Sequence, residues 1–348
     1  MAARLMVTTK VTSTIATIAA TALSATLLAA PAHAADTGLY GSTDPAADAV
    51  YRQSLSILGL TAVGVTPAPA AVEWLVDQQC PDGRFQSYRA NVAQPCDPSD
   101  PEAFSGPDTN STALAAMALQ AAGEDRAAAR AAQALIDGAQ DNGRTAAWPY
   151  NFGGTPDSSS TGLAVAALEA VGANTTAIAE GNRWVRQRII GCARKYAGAL
   201  RNDASSPAAS NFGTAQGLLG LTAALPVTEE SDPAANPQCS GSPTRRVSSY
   251  LARTLTRDGI LNYSGFGGKD YGSTAAAIVG LGKAELGSRG IDRAVAALQA
   301  DARDWIGTES GDSVGAAGWL MLVAATTGKD PRSFGGVNLV RTVTGSMQ

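Results

Sequence analysis

The amino-acid sequence predicts an all-α fold, an alpha/alpha toroid of about six inner and six outer helices. Three observations predict it. One helical theme recurs six times at spacings of roughly 42 to 60 residues. Its copies are apolar on every face, and the segments between them are charged on one face only.

The first 34 residues stand apart from the fold. Arg4 and Lys10 form a positive start, an apolar stretch rich in Ala and Thr follows, and Ala32-His33-Ala34 fits a signal-peptidase site, so export with a mature start near Ala35 is expected. The remainder, 35–348, is expected to be a single toroid domain that is secreted and lacks a membrane span. Losing the leader removes two of 26 basic residues and none of 30 acidic ones, which moves the net charge from −4 to −6. Nucleic acid is therefore an unfavourable partner. Cleavage also removes the chain's one histidine, His33. Ser-His-Asp triads and histidine-containing zinc sites are excluded from the mature protein.

The inner helices follow in order. The first is the degenerate DAVYRQSLSILGLTAVG (48–64). DTNSTALAAMALQAAG (108–123) and DSSSTGLAVAALEAVG (157–172) agree in Asp, Ser, Thr, Leu, Ala and Gly at matching offsets. NFGTAQGLLGLTAAL (211–225), DYGSTAAAIVGLGKAELG (270–287) and DSVGAAGWLMLVAATTG (312–328) complete the set. Asp108, Asp157 and Asp270 read as N-caps, and Gly123, Gly172, Gly287 and Gly328 as C-caps. Segments 124–140 and 288–305 carry charge on one face and read as outer helices. An open solenoid would alternate helices in the same way, but no polar capping repeat is evident, which favours a closed ring.

Cys80, Cys96, Cys192 and Cys239 are an even set in a chain bound for an oxidising compartment. Of three pairings, Cys80 with Cys96 and Cys192 with Cys239 is favoured, because each pair brackets one Pro/Asp/Ser-rich insertion. Four scattered thiolates without C-x-x-C spacing argue against zinc.

One stretch, WLVDQQCPDGRF (74–85), recurs in outline: Trp74-Leu75, Gln79, Gly83 and Phe85 match Tyr250-Leu251, Leu255, Gly259 and Leu261, with a weaker copy at Gln140, Gly143 and Trp148. This closely resembles the QW repeat of the terpenoid cyclase and protein prenyltransferase superfamily, in which such residues staple adjacent helices. The resemblance implies the toroid and leaves the chemistry open. The superfamily's D-x-D-D acid run is missing, and the zinc ligand set of the prenyltransferases lacks its histidine. Gly191-Cys192-Ala193-Arg194 is not the thioester Cys-Gly-Glu-Gln run. No metal and no cofactor is expected.

If the inner helices run parallel, Asp108, Asp157, Asp270 and Asp312 converge at one mouth. Capping explains such residues economically, since capping is needed six times and catalysis once. Aromatic residues gather beside them: Trp148, Tyr150 and Phe152, then Phe212, then Tyr263, Phe266 and Tyr271. These aromatic and acidic residues form the candidate ligand mouth. The expected function is non-catalytic binding of a small apolar or polycyclic ligand, a cell-envelope component or a protein partner there. The alternative is a divergent cyclase-like or prenyltransferase-like enzyme, or a carboxylate-dependent enzyme acting on cell-envelope glycans.

Overall fold

Inner and outer helices alternate through the whole computed structural model, which describes residues 38–263, 267–308 and 311–348. The leader and the Ala35 start lie outside the described residues, as do Phe266 and the side chain of Asp312. The inner helices are α1 (Pro45–Ala62), α3 (Thr109–Ala121), α5 (Ser158–Ala170), α7 (Asn211–Thr222), α9 (Tyr271–Lys283) and α11 (Val314–Thr327). The outer ones are α2 (Pro69–Asp77), α4 (Asp125–Asp137), α6 (Thr175–Arg188), α8 (Pro243–Asp258), α10 (Ser288–Ile306) and the short α12 (Leu339–Thr344). Each inner helix packs on the next, and α11 packs back on α1, so the ring is closed. The toroid expected from the repeats is thus present. Among the described residues, no helix is long and apolar enough to cross a membrane.

Ring closure depends on backbone approach. A Cβ on Gly59 of α1 would lie 2.7 Å from the carbonyl oxygen of Gly318 on α11, and one on Gly318 would lie 2.5 Å from that of Leu55. The α5 and α7 pair repeats the device across the ring, where a Cβ on Gly162 would meet the Gln216 carbonyl oxygen at 2.4 Å. Small residues on all faces of the inner helices are what allow this packing. The core is correspondingly dominated by buried Ala and Leu.

Four two-residue hairpins, unanticipated from the helical pattern, join outer helices to inner ones: Gln140–Asp141 with Ala146–Ala147, Leu200–Arg201 with Ala209–Ser210, Leu261–Asn262 with Lys269–Asp270, and Gly307–Thr308 with Gly311–Asp312. They pin the long connections to the helix starts. Cys80–Cys96 and Cys192–Cys239 are both formed and enclose 16 and 47 residues of separation. In the chain-entropy account these closures contribute about 3 and about 4 kcal/mol.

The stretch 74–85 acts as a staple. Gln79 donates from Nε2 to the Gly83 carbonyl at 3.1 Å and to the Ala127 carbonyl on α4 at 2.9 Å. Gly83 has φ +89°, and a Cβ there would sit 2.4 Å from the Arg130 carbonyl oxygen. The end of α2 is thereby locked to the flank of α4. The weaker copy works differently: Gln140 is exposed, Gly143 has no close neighbour, and Trp148 alone ties the helices, its indole N–H donating to the Leu135 carbonyl at 2.7 Å.

Some helix ends differ from expectation. Ser313, and not Asp312, caps α11 by accepting from Ala316 N, and Ser210 caps α7 by accepting from Gly213 N. Gly287 lies beyond the end of α9 and begins α10, because Glu285 already takes the left-handed conformation (φ 54°) that ends the helix.

Gly59→Ala should lower stability by about 1–3 kcal/mol, the usual cost of overpacking a tight contact. Gly191→Ala is the control, since a Cβ there meets nothing within 4 Å. Denaturant melts of both variants check this; equal midpoints would mean that the α1/α11 seam gives way without cost.

Candidate functional site

The candidate site is assembled from the starts of the inner helices, and those starts are positioned by hydroxyls. Thr112, Thr161, Thr214 and Thr274, one turn into α3, α5, α7 and α9, are all buried. Their Oγ1 atoms accept the backbone N–H groups of Phe85, Trp148, Leu200 and Leu261 at 3.0, 3.0, 2.9 and 2.9 Å. Thr112, Thr214 and Thr274 donate in turn to the carbonyls of the capping residues Asp108, Ser210 and Asp270. Each connection arriving from an outer helix is thus bonded to the helix start it precedes.

Capping is the first role of the predicted carboxylates. Asp108 Oδ1 accepts Ser111 N at 2.7 Å, and Asp157 accepts the N–H and hydroxyl groups of Ser159 and Ser160. Asp270 accepts Ser273 N at 2.9 Å and Ser273 Oγ at 2.6 Å. Asp108 and Asp270 are buried at 2% and 3% exposure, whereas Asp157 is half-buried. Burial pushes the Asp108 carboxyl up to about 6, against the lowering effect of its bonds to Ser111 and Asn110. Asp108 and Asp270 both act on Tyr51 of α1, whose hydroxyl is raised to about 12, chiefly by burial and then, against the Trp319 hydrogen bond, by the charges of Asp270, Asp48 and Asp108. Tyr51 thus lies within electrostatic reach of the carboxylates that cap α3 and α9.

Two cavities open at this end. One, of about 270 Å³, is lined by the starts of α1, α7, α9 and α11, including Tyr51, Phe212, Gln216, Tyr263, Asp270 and Trp319, and by Trp305 from the end of α10. The other, of about 350 Å³, is lined by Phe104, Tyr150, Asn151, Asp157 and the loops around them. Phe104, Tyr150, Phe212 and Tyr263 are four of the five exposed aromatic residues among those described; the fifth is Tyr196. Thr109, Asn110, Asn151 and Gln216, all buried, each carry a side-chain oxygen without a hydrogen-bond partner. A larger hollow of about 800 Å³ lies at the opposite ends of α1 and α3, lined by Val65, Pro67, Val72 and Val76 with Glu73 and Glu124. It holds no aromatic ring, whereas exposed aromatic surface, buried carboxylates and unpartnered amide oxygens lie at the mouth formed by the helix starts.

The predicted residues divide accordingly. Phe212, Tyr263 and Asp270 share the smaller cavity, and Tyr150 and Asp157 share the other. Asp108 stands beside Tyr150, whose carbonyl accepts Thr109 N at 2.8 Å. Trp148 is 0% exposed and belongs to the packing between helices. Tyr271 stacks on Trp305 at 5.3 Å and donates to Asp301, so it buttresses the wall from outside. Tyr51, Gln216, Trp305 and Trp319 were not anticipated. A polar Gln inside an otherwise apolar inner helix was the one available signal. Among the described residues no group of three or more His, Cys, Asp or Glu is placed to hold a metal ion.

Asp108 holds its proton more tightly in the folded protein than in the unfolded chain, where a carboxyl titrates near 3.9. Its favourable contribution is therefore complete below about pH 4 and lost as pH rises through about 6. Asp108→Asn, which keeps the cap and cannot ionise, should gain on the order of 2–3 kcal/mol over the parent between pH 4 and 7; parallel pH profiles from denaturant melts would contradict the assignment. At Asp270, Ala should cost about 1 kcal/mol and Asn almost nothing, as read by thermal melting.

No family model matches the chain, and no curated protein matches it. Solved structures do. Type II terpene cyclase MstE from Scytonema without ligand is similar at a TM-score of 0.52 and 20% identity over 80% of this chain and 73% of that one. A variant of the same enzyme in complex with geranylgeranyl dihydroxybenzoate, its substrate, gives 0.54 and 19% over 85% and 78%. A further variant without ligand gives 0.55 and 19% over 83% and 77%. At these identities the likeness is one of fold: this chain shares the alpha/alpha toroid of a type II terpene cyclase.

Proposed function

We propose that the protein is an exported binding protein that holds a small apolar or polycyclic ligand at the N-terminal mouth of the toroid without transforming it. The observation that carries this is the concentration of exposed aromatic rings at that mouth, where four of the five described ones line the two cavities. Exposed apolar surface gathered in one place marks a binding site more often than chance exposure. The smaller cavity, about 270 Å³, suits a compact ligand. Variants of the comparison enzyme are seen in complex with geranylgeranyl dihydroxybenzoate, its substrate, and with merosterolic acid A, its product, which supports an apolar or polycyclic class for this mouth as well. Export rests on the leader-like residues 1–34 and on the two disulfides.

A second reading, catalysis, is favoured by one observation. Asp108 is a buried carboxyl held up to about 6, which suits a general acid near neutral pH. Neither D-x-D-D spacing nor a histidine accompanies it. Turnover of a polyprene that disappears in Asp108→Asn would establish this reading over the first.

Native mass spectrometry of protein collected from its own culture medium tests the binding reading. The parent should carry a retained small-molecule mass, and Phe212→Ala/Tyr263→Ala should lose it. Those side chains are 39% and 51% exposed, so their truncation should leave the melting temperature within a few degrees of the parent. A ligand that survives the double substitution would move the site elsewhere.

A further inference from the structure

Resting on the mouth reading above, we infer that the cavity at the starts of α1, α7, α9 and α11 takes an organic cation, a compact apolar body whose ammonium group is received by the Asp270 carboxylate and Gln216 Oε1. The lining contains two carboxylates, Asp48 and Asp270, and no Lys or Arg among the described residues. Asp48 is already matched, since Arg52 Nη1 lies 2.7 Å from its Oδ1. Asp270 forms no ion pair with a described residue. Its oxygens each accept one bond from Ser273, which leaves a lone pair on each for a further donor.

Gln216 is the second, independent sign. It is 3% exposed, lines the cavity from the second turn of α7, and its Oε1 has no partner. Gln216 Oε1 and the Asp270 charge are both buried already, and a neutral polycycle would leave both without a donor, which is costly in a low-dielectric site. A carboxylate or phosphate would find no cation to receive it. An ammonium supplies the donors both groups need.

The rings point the same way. Phe212, Tyr263, Trp305 and Trp319 line the cavity, and aromatic rings favour a positive charge over their faces. The field around them is negative: burial first and the Asp270 charge second raise the Tyr263 hydroxyl, and Asp270 contributes likewise at Tyr51. The positive ends of α7 and α11 oppose this, but each amounts to about half a charge, and Ser210 and Ser313 already accept from their first-turn N–H groups.

The test is isothermal titration of the exported chain with three probes that share one cage: 1-adamantylammonium, 1-adamantanol and 1-adamantanecarboxylate, at pH 7 and low salt. The ammonium should bind at least tenfold more tightly than the alcohol, and the carboxylate should bind most weakly. Asp270→Asn keeps the helix cap and should bring the ammonium to within about twofold of the alcohol. An alcohol or carboxylate that binds as tightly as the ammonium overturns the cation while leaving the mouth reading in place. If none of the three binds, the mouth reading falls and the cation with it. A preference for the ammonium that persists in Asp270→Asn overturns the assignment of the charge to Asp270.

Discussion

The buried threonine hydroxyl at the start of an inner helix is the bond on which the ring depends. At α3, α5, α7 and α9 it accepts the N–H of a residue arriving from the preceding outer helix, and at three of them it donates back to the cap carbonyl. Threonine in a helix often bonds backward to the carbonyl four residues earlier, which competes mildly with helix geometry. Here the same back-bond orients the hydroxyl so that its lone pairs face the incoming chain. A valine would fill the space and leave a buried N–H without an acceptor, at about 1–3 kcal/mol for each site. At α1 the duty passes to Gln53, which accepts Tyr40 N and donates to the Gly38 and Ala71 carbonyls. The ring's first unit is degenerate in sequence because another side chain does the work.

With the helix starts fixed, the loops above them are free to carry function. The hairpins and the two disulfide-closed insertions project from the frame, and Arg89 stiffens one of them by donating to the carbonyls of Asp77, Gln79, Val92 and Gln94. The mouth is thus a set of ordered connections on a rigid ring. Such an arrangement can keep aromatic side chains exposed without losing their geometry.

Periodic features were legible in the sequence and singular ones were not. The inner helices could be read because an all-apolar run with an Asp before it and a matching Thr repeats, and the Gln79 and Gly83 staple because its spacing recurs. The hairpins are two residues per strand, too short for any alternation to register. Trp319 sits within an apolar run where a large ring reads as core, and Trp305 ends a helix that reads as surface. Both reach the cavity only because the ring closes α11 against α1 and brings the end of α10 over the gap. Trp148 shows the converse: it precedes an inner helix like the mouth aromatics, yet a bond to Leu135 turns it inward. Sequence proximity to a helix start does not fix which way a ring points.

Six parallel inner helices aim six positive ends at the same mouth, and by that fact alone it would attract anions. The choice of cap decides otherwise. Four inner helices are capped by Asp44, Asp108, Asp157 and Asp270, and two by Ser210 and Ser313. A capping carboxylate brings a full negative charge against roughly half a positive one, so each such start turns net negative when ionised, while a serine cap leaves the helix end as it was. The smaller cavity is bounded by α1, by α7 and α11 with serine caps, and by α9 with Asp270, which among the described residues is its one lining carboxylate without an ion-pair partner. Serine and aspartate cap a helix about equally well, so stability does not dictate which stands where. What the alternation does fix is where negative charge is concentrated around the rim, and it places that charge beside the aromatic wall.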